Sequence, residues 1–157
     1  PKGYKRLAPE GEVRLMNAYV IACTGVVKDK AGRVVEVRAV YDPATRGGAA
    51  PEGRKVGGTI HWVSAEHALP AEVRLYDRLF TKENPQEGGE DFLDNLNPDS
   101  LRVMDALVEP SLAAAAPGDT FQFMREGYFC VDIDSRPDAL VFNRTVGLKD
   151  TWAKGNP

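Results

Sequence analysis

Thr120-Phe121-Gln122-Phe123-Met124-Arg125-Glu126-Gly127-Tyr128-Phe129-Cys130-Val131-Asp132-Ile133 decides the fold class. Apolar residues recur at alternate positions on either side of Glu126-Gly127. That period belongs to strands, so residues 120–133 read as a tight β-hairpin pivoting at Glu126-Gly127.

The same signature extends outward in both directions. Downstream, residues 139–146 form the last clear strand pattern. Upstream, the alanine run of 110–119 ends in Pro117-Gly118 and is too short for an independent helix, so a turn is predicted. Residues 101–108 read as a strand, and residues 91–96 as one or two helical turns stopped by Asn97-Pro98. Residues 82–89 are polar, carry Pro85, Gly88 and Gly89, and read as a connector. Residues 71–80 and 59–63 are strand-like, with a single turn at 64–67 between them. Residues 42–58 hold five Gly and two Pro and form a long loop that carries Arg46, Arg54 and Lys55. Residues 33–41 are a Val-rich strand, preceded by a hairpin loop at 28–32. Residues 12–23 alternate, with Val13, Leu15, Tyr19 and Ile21 on one face. Many short strands separated by frequent turns predict an all-β chain built as barrels or sandwiches.

Composition narrows the function. The 157 residues are 43% hydrophobic and 27% charged, which supports a folded core and excludes wholesale disorder. No apolar run approaches the roughly 18–20 residues of a membrane span. The basic, polar start at Pro1 is unlike a signal peptide. Without an initiator Met it suggests a piece of a longer polypeptide. Cys23 and Cys130 sit among apolar neighbours, read as buried thiols, and fit a reducing cytoplasm. Isolated cysteines and two histidines six positions apart give no metal-binding pattern.

The net charge of −3 conceals an asymmetry. Residues 1–80 hold 13 Lys and Arg against 9 Asp and Glu, and residues 81–157 hold 7 against 14. The first part is thus +4 and the second −7. A basic first half is suited to a polyanion, although an ordinary solvated surface accounts for the same charge.

Catalytic patterns are missing: there is no G-x-S-x-G, no phosphate-binding glycine loop and no H-E-x-x-H. Asp132 and Asp134 share a strand face but read as solvated acids, and His61 beside Trp62 reads as a partly buried strand histidine. Gln122 and Arg125 lie three apart among Phe121, Phe123 and Tyr128. Such a set suits splayed bases, with aromatic rings on base faces and polar groups on base edges. Composition by itself favours the plainer reading, in which Gln122 and Arg125 are hairpin surface and the aromatics are core.

Longer blocks go further. They are Glu12-Val13-Arg14-Leu15, Asn17-Ala18-Tyr19-Val20-Ile21, Gly58-Thr59-Ile60-His61-Trp62-Val63-Ser64 and His67-Ala68-Leu69-Pro70. Arg74-Leu75-Tyr76-Asp77-Arg78-Leu79-Phe80 and Arg125-Glu126-Gly127-Tyr128-Phe129-Cys130 follow. Val141-Phe142-Asn143-Arg144-Thr145-Val146-Gly147-Leu148 and Asp150-Thr151-Trp152-Ala153-Lys154 close the set. Together, over residues 4–154, they closely resemble the C-terminal anticodon-binding region of bacterial glutaminyl-tRNA synthetases.

The resemblance implies two β-barrels related to a ribosomal protein that binds 5S rRNA. Residues 1–80 would be the distal barrel and residues 81–157 the C-terminal half of the proximal barrel. The upstream half of that barrel and the class I catalytic domain, with its H-I-G-H-type and K-M-S-K-S-type motifs, would lie outside this chain. The implied partner is a tRNA with a glutamine anticodon. The implied whole is a monomeric cytoplasmic ligase using ATP and Mg, with no active site and no cofactor in this chain.

Site residues carry over one by one. Lys5 and Arg6 stand where the family meets the third anticodon base, a G, which suits arginine's fork. Gln122 and Arg125 stand where it grips the second base, a U. Thr151 stands near the anticodon pocket. Arg14 keeps one of two arginines for the first base, C or modified U. Met16 replaces the other, and Gly3 replaces a frequent Gln. Methionine can pack on a base but cannot neutralise phosphate, which predicts looser reading of the first base. The alternatives are a related glutamyl-tRNA synthetase, a non-enzymatic ribosomal RNA-binding barrel, or an enzyme in its own right.

Overall fold

A computed structural model describes residues 6–48, 54, 56–89 and 91–148. Lys5 and Thr151 lie outside the described residues. The chain is all-β, as expected. Among the described residues the helical pieces are short 3-10 segments. It divides into two compact units, Pro1–Trp62 and Val63–Pro157.

The first unit holds β1 (Glu12–Leu15), β2 (Val20–Lys28), β3 (Val34–Tyr41) and β4 (Thr59–Ile60) in the order β3-β2-β1-β4. Residues 12–23 are not one strand but a hairpin. Asn17 turns the chain at φ 57°, a left-handed conformation that Asn tolerates better than most residues. The turn is closed by Ala18 N donating to Leu15 O at 3.0 Å and Leu15 N donating to Tyr19 O at 2.8 Å. Val13 still pairs with Ile21, so those two do share a face. The loop between β2 and β3 forms as expected. The Asp29 carboxylate accepts from Ala31 N and Arg33 N, each at 2.9 Å, and Gly32 adopts φ 78°.

The first unit buries little. Val13 and Val20 are each 1% exposed. Thr45, fully buried, accepts from Val20 N at 2.8 Å and donates to Asp42 O at 2.7 Å, which ties the long loop to β2. β3 is an edge strand, exposed along its whole length.

The second unit holds β5 (Leu69–Tyr76), β6 (Leu101–Val108), β7 (Thr120–Phe123), β8 (Gly127–Val131) and β9 (Leu140–Val146). Their order is β6-β5-β9-β8-β7, with β5 and β9 parallel and the other pairs antiparallel. β5 pairs with β6 along its full length. The structural division therefore falls between Trp62 and Val63, ahead of the connector expected at 82–89. Residues 91–96 make a 3-10 turn at Phe92–Asn95, whose Leu93 N donates to the Asp91 side chain at 3.0 Å.

The core of this unit is Ala71, Val73, Val108, Phe129, Val131, Leu140 and Phe142, with Phe121 and Phe123 packed against it. Phe123 stacks on Phe129 at 4.3 Å between ring centroids and meets Phe142 edge-on at 5.2 Å. Among the described residues both sheets pair in a linear order. Closed barrels, the finer part of the expectation, are not seen in that pairing. In the first sheet, closure would have to join β3 to a β4 of only two residues.

Candidate functional site

The hairpin of the second unit places Gln122 and Arg125 near its tip. Gln122 lies in β7 directly across from Tyr128 in β8, and both are exposed. Alternation along β7 sends Phe121 and Phe123 the other way, into the core. Phe121 and Phe123 thus do not ring the polar pair. Tyr128, 47% exposed, is the hairpin aromatic that stays on Gln122's face. Arg125 occupies the turn at φ 69°, where Glu126 N donates to Phe123 O at 2.9 Å. Gly127 follows at φ 147°, and a Cβ there would lie 2.6 Å from Val146 O. Only glycine lets β9 come that close behind the turn.

In the first unit Arg6 is exposed ahead of β1, and Arg14 lies in β1. Arg14 N donates to Gly58 O at 2.8 Å, which aligns β1 with the β4 segment. Its side chain is half-buried, and its buried Nε has no hydrogen-bond partner among the described residues. Met16, two residues on, begins the Asn17 turn. The structure thus brings Gln122 and Arg125 onto one hairpin and Arg6 and Arg14 into the other unit.

Arg54 and Arg74 are each held by more than one carboxylate. Arg54 makes a two-point contact with Glu12, at 2.7 and 2.9 Å, and also bonds Asp42. Its hydrogen bonds hold both acids below the usual carboxylate range. Arg74 bonds Glu72 at 2.6 Å and Asp134 at 3.2 Å and lies 3.3 Å from Asp132. An open cleft of about 580 Å³ beside it is lined by Glu72, Asp105, Asp134 and Asp138 as well as Arg74 and Arg136. That acid-rich lining is a poor seat for a polyanion.

The Asp132–Asp134 pair is structural. The Asp132 carboxylate accepts from Asp134 N at 2.8 Å and from the Asn143 amide, and these bonds hold it ionised. His61 is exposed just beyond β4, not partly buried within a strand. Among the described residues no group of three or more His, Cys, Asp and Glu could hold a metal ion. No helix there is long and apolar enough to cross a membrane. Sequence reasoning gave Trp62 no role of its own. Its indole Nε1–H donates to Met16 O at 3.0 Å.

Comparison with known proteins follows the same lines. Two family models, both described as tRNA synthetases class I (E and Q), anti-codon binding domain, match residues 2–42 and 59–132. The glutamine–tRNA ligase of Yersinia enterocolitica is 60% identical over 153 residues, and that of Pseudomonas syringae pv. tomato 58% over 156. The Nitrobacter hamburgensis glutamine–tRNA ligase is 56% identical over 154 residues. The matches cover 97–98% of this chain and 27% of each relative.

Proposed function

The chain belongs to the anticodon-binding domains of the class I tRNA synthetases for glutamate and glutamine, and from that premise we propose that it reads the anticodon of a glutamine tRNA. The observation that carries this reading is the hairpin tip: Gln122 and Tyr128 side by side and exposed, Arg125 in the turn, and Phe121 and Phe123 anchored beneath. The buried face fixes the hairpin, so the polar face meets a base without first being ordered. Gln122 and Arg125 hydrogen-bond the edge of the second base, a uridine, and the Tyr128 ring supports a neighbouring base face. Arg14 meets the first base, and Lys5 and Arg6 the third, with Thr151 beside the pocket.

The complete polypeptide, in this proposal, is a glutamine–tRNA ligase. Its catalytic domain, ATP and Mg lie outside this chain, and it works as a cytoplasmic monomer. The distal barrel spans residues 1–80, and residues 81–157 are the C-terminal half of a proximal barrel that upstream strands complete. The glutamine reading is preferred to the glutamate one because the relatives named above are glutamine–tRNA ligases.

The test is binding by the complete ligase to glutamine tRNA and to the same tRNA with its second anticodon base changed, at one salt concentration. The base change should cost about 1–3 kcal/mol, and Arg125→Ala should remove most of that discrimination. Equal binding to both tRNAs with a steep salt dependence would reduce the interaction to phosphate attraction and overturn the proposal.

A further inference from the structure

The β4 segment grips β1 at alternate residues. Arg14 N donates to Gly58 O at 2.8 Å, and Met16 N donates to Ile60 O at 3.0 Å. In a parallel ladder the next bond would run from the backbone N–H of Trp62 to Met16 O. That position is taken by the Trp62 side chain, whose indole Nε1–H donates to Met16 O at 3.0 Å. β1 ends at Leu15 and the chain turns at Asn17, φ 57°, so the ladder cannot continue by backbone alone. The indole is the last tie before the turn. Trp62 is 41% exposed, more than a purely core tryptophan needs to be.

We propose that Trp62 is a positioning residue for reading the first anticodon base: its indole N–H fixes the Met16 carbonyl, and with it the turn that follows Arg14 and Met16. The inference rests on the anticodon-reading function proposed above. Indole has one N–H donor and no acceptor, so the bond has a single polarity and a single register. Phe at this position would keep the ring and lose the bond. The turn would then sample more conformations, and the ordering would have to occur when tRNA binds.

The experiment uses the complete ligase and the two glutamine tRNA species, whose first anticodon bases are C and modified U. Trp62→Phe should raise KM for tRNA about three- to tenfold, the worth of one ordinary hydrogen bond. The KM ratio between the two tRNAs should change, with kcat nearly unaltered. Trp62→His, which retains a ring N–H, should recover part of the loss. Asn17→Gly loosens the same turn without touching the indole, and at a positive φ it is compatible with folding. It should alter the same ratio. An unchanged ratio in Trp62→Phe, or in Asn17→Gly should Trp62→Phe not fold, would overturn the inference. In both experiments the change at the second base is measured in parallel with unsubstituted ligase. If that ligase does not discriminate there, anticodon reading itself fails; if it does and the first-base ratio stays fixed, only the role of Trp62 fails.

Discussion

The two units solve one problem by different means. The second unit is held by side chains packed in its interior: Phe142 is fully buried among Phe121, Phe123, Phe129 and aliphatic residues. Among its described residues the first has Val13 and Val20 as buried apolar side chains, and it relies on specific polar ties. Thr45 bonds Val20, Arg54 joins Glu12 and Asp42, and Trp62 bonds Met16. A packed hairpin presents Gln122 and Arg125 rigidly. A sheet tied by single hydrogen bonds presents Arg14 and Met16 on elements whose order depends on each tie. The lesson is that a binding surface can be pre-formed by packing or by directional bonds, and the two respond differently to substitution and pH.

The largest effect that would break this contrast lies in the packed unit. Phe142→Ala should destabilise the second unit by about 3–5 kcal/mol in denaturant unfolding, because the cavity forms where the aromatic rings meet. A loss under about 1 kcal/mol would mean that the cluster is not its centre of stability.

The next effect is electrostatic and belongs to the first unit. Hydrogen bonds from Arg54, with its charge, lower the Glu12 and Asp42 pKa values. Their stabilisation is therefore complete above the ordinary carboxylate values of about 4 and is lost as pH falls through the lowered values. Protection of the β1 and β2 amides against hydrogen exchange, relative to the unstructured chain at the same pH, should fall on acidification below about pH 4. In Arg54→Met that protection should already be lower at neutral pH, with this acid-sensitive component gone. The same pH dependence in the variant would remove Arg54 from the account.

The smallest effect sharpens the comparison from the other side. Val37 lies on the exposed edge strand and is 44% exposed. Val37→Thr should change stability by no more than about 0.5 kcal/mol. A larger cost in a thermal melt would reveal packing at β3 that its exposure denies.

Much of this fold could be read locally. Residues 101–108 form β6, and the 120–133 pattern yields β7 and β8, with the turn at 124–126 centred on Arg125 and not at the expected Glu126-Gly127. The loop before Val34 also follows local chemistry, since Asp29 and Gly32 are close in sequence and supply what the turn requires. Residues 12–23 misled because their alternation continues across the Asn17 turn. A period-two pattern does not distinguish one long strand from two short paired ones. The division between the compact units is not visible locally for a related reason. A connector is visible as composition, whereas the pairing of β5 with β9 joins residues about 70 positions apart.

The candidate site was legible in residue identity but not in orientation. Arg125 and Arg14 could be named from their blocks, and Gln122 from its place three residues before Arg125 among aromatic residues. That Phe121 and Phe123 turn away while Tyr128 remains beside Gln122 depends on where the core lies. Sequence by itself determined the strand-forming segments, the family and the residues offered to a base, because propensity, turn chemistry and long matching blocks are properties of contiguous chain. Tertiary structure alone decided that Arg54 is occupied by Glu12 and Asp42 while the buried Arg14 Nε has no partner among the described residues, and that an indole replaces a backbone amide at Met16. Those outcomes depend on distances between atoms that the chain separates by 12 to 46 positions, and no local pattern specifies which donor arrives first.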